Sequence, residues 1–225
     1  MASNKELLKK VLGELPLTAE VYQLLRQTDQ PLPNNFSLRH IRQVLPEAVA
    51  VAQKSRVQHP SGKKVFMFAS THYWLEHCVM TGLALSGLGH NVTLGYYPYG
   101  RWHVDSPQFD VRRQSVYSAT VLRPASMVMN FENLMRNNYS FTQLPDALQQ
   151  AVEQVTDFDY MYAFQSEDVN REDPFYVFRH GRNLHAAKTL YTYLRSLNPE
   201  IAIIPNGTIL EFGIAFKVCR FLKIP

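Results

Sequence analysis

The stretch Lys63-Lys64-Val65-Phe66-Met67-Phe68-Ala69-Ser70 runs straight into Thr71-His72-Tyr73-Trp74-Leu75-Glu76-His77 and on through an apolar-rich segment to Leu88-Gly89-His90. A short apolar run ends in polar residues and feeds a helix. The pattern returns at the end of the chain: Ile201-Ala202-Ile203-Ile204-Pro205, then Asn206-Gly207-Thr208, then a helical stretch over 209–222. Parallel α/β sheets present their working groups in this way, in the turns at the carboxyl ends of their strands. The spacing predicts a strand over 65–69, a helix over 74–87 and a strand over 92–97, together roughly the 30-odd residues of a βαβ unit. Gly89 suits the helix end.

Working outward, residues 1–62 read as a helical segment. A short helix spans Lys5 to Leu12, and a second starts near Thr18 and carries Val21, Leu24 and Leu25. Ser37 has the chemistry of an N-cap, followed at helical spacing by Leu38, Ile41, Leu45, Ala48 and Ala52, with Pro46 expected to kink the run. Gln30-Pro31-Leu32-Pro33-Asn34-Asn35 reads as an extended linker and His59-Pro60-Ser61-Gly62 as a turn. Past the βαβ unit, Pro98 to Tyr117 shows little regular period. Residues 145–156 and Arg182 to Leu197 read as helices, and Asp159 to Phe164 fits helix or strand. The expected architecture is a Rossmann-like three-layer α/β sandwich with a mainly parallel sheet over 63–225, preceded by the helical segment. The ending Phe221-Leu222-Lys223-Ile224-Pro225 has the look of Leu88-Gly89-His90-Asn91, where a helix hands over to a strand. This leads us to expect that the natural protein continues beyond Pro225.

Composition narrows the function. With 46% hydrophobic and 19% charged residues in 225, the chain can bury a sizeable core. A net charge of +4 and a pI near 9.0, with no run of basic residues, suggest mild affinity for anionic ligands or for a membrane surface rather than a nucleic-acid footprint. Cys78 and Cys219 sit in apolar helical patterns, which suits free thiols in a reducing cytoplasm, with peripheral contact at the inner face of the membrane left open. No run of eighteen apolar residues is present. Glycine-rich phosphate motifs, a G-x-S-x-G elbow and metal-ligand spacings are all missing, which argues against a dinucleotide dehydrogenase, a P-loop NTPase and a zinc enzyme.

Three clusters remain as candidates. In the first, Thr71 and Trp74 flank His72 and Glu76, which are four apart and share a helix face, so the carboxylate can hold a neutral imidazole as a general base. His77 is the second choice for that base. The bland alternative makes Trp74 core, Glu76 an ordinary first-turn charge and the histidines incidental. In the second, Thr208 and Glu211 match a capping box, while Asn206 and Thr208 can also meet a ligand hydroxyl. In the third, Tyr96-Tyr97-Pro98-Tyr99-Gly100-Arg101-Trp102-His103 offers aromatic faces for sugar rings and Arg101 for phosphate or carboxylate, unless the loop packs on its own domain.

The blocks Thr71–His77, Gly87-Leu88-Gly89-His90-Asn91-Val92-Thr93 and Pro205-Asn206-Gly207-Thr208-Ile209-Leu210-Glu211-Phe212-Gly213 resemble the amino-terminal half of bacterial GT-B glycosyltransferase-like proteins of the capsule or cell-surface polysaccharide type. The likeness spans about residues 36–225. It implies an acceptor-side domain facing a carboxyl-terminal donor-binding domain, with a nucleotide sugar as substrate, a saccharide or lipid-linked acceptor, no further cofactor and no metal. Under it, His72 would take the acceptor proton, oriented by Glu76, while Thr71, Trp74, Arg101, Trp102, Asn206, Thr208 and Glu211 would contact substrate. A non-catalytic nucleotide- or sugar-binding module and a GT-B-fold nucleotide-sugar epimerase are the rival readings.

Overall fold

In the computed structural model, which describes residues 4–26, 32–58, 61–136, 139 and 141–225, β1 (Lys64–Ser70) and β2 (Asn91–Tyr97) are buried at every residue after the first. Both faces of each strand are covered, so their sequences read as continuous apolar runs rather than as alternation. Val65, Met67 and Ala69 face one core with Val92, Leu94 and Tyr96. Phe66, Phe68 and Tyr97 face a second core on the other side. With β3 (Asn130–Asn133) and β4 (Ile201–Ile203) they form an all-parallel sheet in the order β3-β2-β1-β4.

α3 (Arg39–Arg56), α4 (His72–Gly87) and α5 (Gln108–Leu122) supply apolar residues to the first core. α6 (Asp146–Phe164), α7 (Pro174–Leu197) and α8 (Leu210–Phe221) supply the second. The chain steps outward from β1 to β3 through α4 and α5, then returns across the opposite face through α6 and α7 to β4, on the far side of β1. A reversal of strand direction requires that change of face if crossovers keep one hand. It leaves a topological switch point between the carboxyl ends of β1 and β4.

The two helix-to-strand connections that look alike in sequence are alike in geometry. Gly89 is left-handed (φ 91°), and His90 N–H reaches back to Leu85 O at 3.1 Å. Lys223 is left-handed (φ 57°), and Ile224 N–H reaches back to Cys219 O at 2.9 Å. Both are Schellman closures. Asn91 N–H then bonds Lys63 O, and Pro225 O accepts from Ala202 N–H beside β4.

Several expectations need correction. The aperiodic stretch after Pro98 contains α5, and β3 lies where no strand was expected. Asp159 to Phe164 is helical, as part of α6. Of the expected linker, Pro33–Asn35 forms a 3₁₀ turn, while Gln30 and Pro31 lie outside the described residues, as do His59 and Pro60 of the expected turn. The N-cap of α3 is Leu38, without a side-chain cap, rather than the expected Ser37, whose Oγ accepts from Arg39 N–H at 3.3 Å from one residue further out. α1 (Asn4–Glu14) and α2 (Thr18–Arg26) pack on α5 through polar contacts: Lys9 to Asp110, a two-pronged Arg112–Glu20 pair, and Arg113 Nε to Gln23 Oε1. Cys78 and Cys219 are free and buried, and burial pushes both thiols up to about 12. Among the described residues, no helix is long and apolar enough to cross a membrane.

Two helical glycines test this packing with opposite signs. A Cβ at Gly181 would meet nothing within 4 Å, whereas one at Gly213 would lie 2.7 Å from Thr208 O. Gly181→Ala should therefore raise the unfolding free energy by about 0.5–1 kcal/mol. Gly213→Ala should lower it by about 1–3 kcal/mol. Urea unfolding of the two variants checks this, and equal shifts would refute the packing of α8 described here.

Candidate functional site

The apolar stripes of three helices each end in a charged residue at the same level of the fold. On α6 the stripe Leu148, Val152, Val155 continues to Asp159. On α7, Leu194, Leu190, Ala187 and Ala186 lead back to Asn183, Arg182 and Arg179. On α8, Val218, Ala215 and Ile214 lead back to Glu211. All three stripes converge under the carboxyl edge of the sheet, at the switch point.

Arg179 is fully buried and lies at the centre of this convergence. Its Nε donates to Asp159 Oδ2 at 3.0 Å, and its Nη1 donates to Glu211 Oε1 at 3.0 Å and to Trp102 O at 3.1 Å. Nη2 donates to Asn183 Oδ1 at 3.2 Å. The second Glu211 oxygen accepts from Ser70 Oγ, the last residue of β1, at 3.1 Å. Asp159 Oδ1 accepts from Leu210 N–H at 2.6 Å, and so closes the amino end of α8, where a negative charge is favoured. One guanidinium thus ties β1, the loop after β2, α6, α7 and α8 together. Burial pushes Glu211 upward, but Arg179 and Arg182 outweigh it and hold the carboxyl below its usual range. For Asp159, burial outweighs the pull of Arg179 and the carboxyl is raised.

The expected capping box is therefore corrected. Glu211 does not answer Thr208; it is turned inward to Arg179 and Ser70. Asp159, fifty-one residues earlier, caps the helix instead, and Asn206 Oδ1 holds the turn by accepting from Thr208 N–H at 2.8 Å and Ile209 N–H at 3.4 Å. A buried cation exerts a stronger claim on a carboxylate than a solvated helix end does.

Above the clamp, both turns at the switch point are strained. Thr71 has φ 74° and ψ 153°, a conformation essentially reserved for glycine, and its buried Oγ1 has no partner. Leu210, at the start of α8, has φ 58°. Strain of this kind persists only where the surroundings fix it, and it clusters where ligands are held.

The remaining candidates fall around this edge. Trp74 is half-buried, 5.9 Å from the Phe212 ring and 6.0 Å from His77, which is exposed. Thr208 and Arg101 are exposed. Trp102 is half-buried against Phe175 and Tyr162. His72 packs edge-on to Phe36 and Tyr73, and its Nδ1 is enclosed without a partner. Burial lowers its pKa against the opposing pull of Glu76 and the Gly100 backbone. Glu76 Oε1 accepts from Ile41 N–H at 3.2 Å and so braces α3, while its charge acts on His72. Sequence reading missed Asp159, Arg179 and Arg182. Their signal is present, since each is a charged residue at a position the helical period assigns to the core.

The chain matches no protein-family model, no curated protein and no solved structure. Among the described residues, no group of three histidine, cysteine, aspartate or glutamate side chains could hold a metal ion.

Removing the central cation leaves two buried carboxylates unpaired. Arg179→Met should lower the unfolding free energy by about 3–5 kcal/mol, read by urea denaturation; a change below 1 kcal/mol would mean the clamp is solvated. Acid should also destabilise the fold. His72 and His185 are both depressed by burial. Below an ordinary histidine value of about 6.5 the unfolded chain binds protons first, so stability falls as pH drops through that value. Unfolding measured at pH 7.5 and 5.5 should show the loss, and His72→Gln combined with His185→Gln should flatten it. An unchanged slope in the double variant would reject this assignment.

Proposed function

We propose that this chain recognises the acceptor of a glycosyl transfer, taking a saccharide or lipid-linked acceptor at the carboxyl edge between β1 and β4, while a nucleotide-sugar donor is handled by a second unit. What supports this is the meeting of two strained, non-glycine turns at the point where strand order reverses, the usual ligand position in open parallel sheets. These two turns also carry two of the sequence blocks behind the glycosyltransferase resemblance. Trp74 and Trp102 offer faces for sugar rings, and Thr208 offers a hydroxyl. In the transfer itself, His72 takes the acceptor proton as a neutral imidazole. Its enclosed Nδ1 requires the Tyr73 side or the Gly100 loop to move when substrate arrives.

A second reading is a binding module without catalysis. The observation in its favour is that Glu76 Oε1 is engaged with Ile41, while Glu76 acts on His72 through its charge.

The only two tryptophans of the chain, Trp74 and Trp102, both sit at this edge, so intrinsic fluorescence reports on it. Titration with neutral oligosaccharides should change emission saturably, and Thr208→Ala should weaken binding by about threefold to tenfold, the cost of one hydrogen bond. A flat titration across a broad saccharide panel overturns the site. Transfer assays with a panel of nucleotide sugars, run with the donor-handling unit present, then separate the two readings: His72→Ala should lower kcat by about 10²- to 10⁴-fold in a transferase, and binding without any transfer under those conditions supports the module.

A further inference from the structure

Beside the switch point, on the β2–β3 side of the same edge, a cavity of about 350 Å³ is lined by Tyr99, Ser106, Arg112, Met135, Arg136 and Arg182, with Glu20 and Asp105 also on its wall. Its arginines are not equivalent. Arg112 is spent, holding Glu20 with two prongs and the carbonyls of Gly13 and Leu15. Arg136 is exposed and ends the 3₁₀ turn Leu134–Arg136 that follows β3. Arg182 is 8% exposed, and its guanidinium carbon lies over the Tyr99 ring, 3.7 Å from its centre, and over the Phe178 ring at 4.7 Å.

Arg182 has a peculiar set of partners. Its Nη1 donates to Arg101 O at 3.3 Å and Trp102 O at 3.2 Å, and its Nη2 to Val104 O at 3.3 Å. All three acceptors are carbonyls at long range. Glu211 acts on it only through charge, since both Glu211 oxygens are taken by Arg179 and Ser70. A buried guanidinium normally docks on a carboxylate with two short bonds. Here Arg179 gives one bond to each of two carboxylates, Asp159 and Glu211, and Arg182, one turn along α7, bonds to none. The carbonyl bonds and the Tyr99 face instead fix the guanidinium plane at the cavity wall, with Arg136 adding a second positive charge at the mouth.

We propose that this cavity binds a phosphate group carried by the ligand, with Arg182 as its principal anchor and Arg136 as the charge at its entrance. The proposal rests on the carboxyl-edge ligand site and deepens it: the acceptor class becomes a phosphorylated one, either a soluble sugar phosphate or the phosphate headgroup of a lipid carrier. A planar guanidinium with fixed orientation suits phosphate oxygens, and the sugar would then extend along the edge towards Trp102 and the β1–β4 turns. The acidic side chains do not cancel the site, because Glu20 is neutralised by Arg112 and Asp105 is exposed.

The test is calorimetric titration of the 225-residue chain with inorganic pyrophosphate, with a hexose 1-phosphate, and with vesicles containing phosphatidic acid or only zwitterionic lipid. Wild-type protein should bind the phosphorylated probes. Arg136→Gln, a surface change, and Arg182→Lys, which keeps the charge but loses the fork, should each weaken binding about tenfold, the loss of one charge-assisted hydrogen bond. Preference for hexose 1-phosphate identifies a soluble acceptor, and preference for phosphatidic acid vesicles a lipid headgroup. No binding by wild type, or equal binding by wild type and Arg136→Gln, overturns the proposal even if Arg182→Lys fails to fold. Because neutral oligosaccharides are read separately by tryptophan fluorescence, a saccharide response without phosphate binding rejects this cavity alone, whereas loss of both rejects the edge as a ligand site.

Discussion

The geometry of the carboxyl edge depends on one buried cation. Arg179 reaches Asp159, Asn183, Glu211 and the Trp102 carbonyl from a single planar group, and through Glu211 it holds the end of β1 at Ser70. Taking two carboxylates and a guanidinium out of water is costly, and the cost is recovered only when each lone pair and each N–H finds a partner. That condition makes the clamp selective about geometry. If α6, α7 or α8 shifts by a fraction of a turn, a buried charge loses its partner. An apolar cluster of equal volume would tolerate such sliding. A lysine would carry the charge but could not span several elements with a rigid fork.

The strain above the clamp follows from it. Leu210 is held at a positive φ because its N–H is drawn to Asp159, which is itself fixed by Arg179 and Asn183. Thr71 sits one residue beyond Ser70, which Glu211 holds. The two turns at the switch point are therefore set from below by the same ion network. A rigid, slightly strained platform loses little entropy when a ligand arrives, and this is how buried polarity under the edge would serve the recognition proposed above.

How much of this was legible in the sequence follows from where side chains are satisfied. The β1–α4–β2 unit was readable because β1 and β2 are buried on both faces, and the β4–α8 unit because the half-buried β4 is an unbroken apolar run that ends in a polar turn. α5 was not, because much of its buried face is polar: Asp110, Arg113, Gln114, Ser115 and Ser118 are all buried. Asp110 and Arg113 are matched by Lys9 and Gln23 from the amino-terminal helices, Gln114 donates to Pro33 O, and Ser115 and Ser118 donate to carbonyls of α5 itself. A period in hydrophobicity cannot reveal a helix whose partners are polar. β3 has only four residues, Asn-Phe-Glu-Asn, at the sheet edge, below what a strand pattern can show. The Thr208–Glu211 spacing gave a capping box by local rule alone, and a long-range cation overrode it.

The same reasoning turns a failure of prediction into a method for this fold. Asp159, Arg179, Arg182 and Glu211 look like errors on apolar stripes when each helix is read by itself. Read across three helices, the errors align at one level and sum to no net charge, two positive and two negative. Three of the four are accounted for by short mutual bonds. The fourth, Arg182, is bonded to carbonyls and packed on the rings of Tyr99 and Phe178, although it is nearly as buried as the others. Charge neutrality of the group explains why the fold tolerates Arg182 there, but neutrality does not use its hydrogen-bonding capacity. A guanidinium that lines a cavity and whose charge is balanced at a distance can meet an anion without first breaking an ion pair. Arg179 could not do so without dismantling the edge it supports.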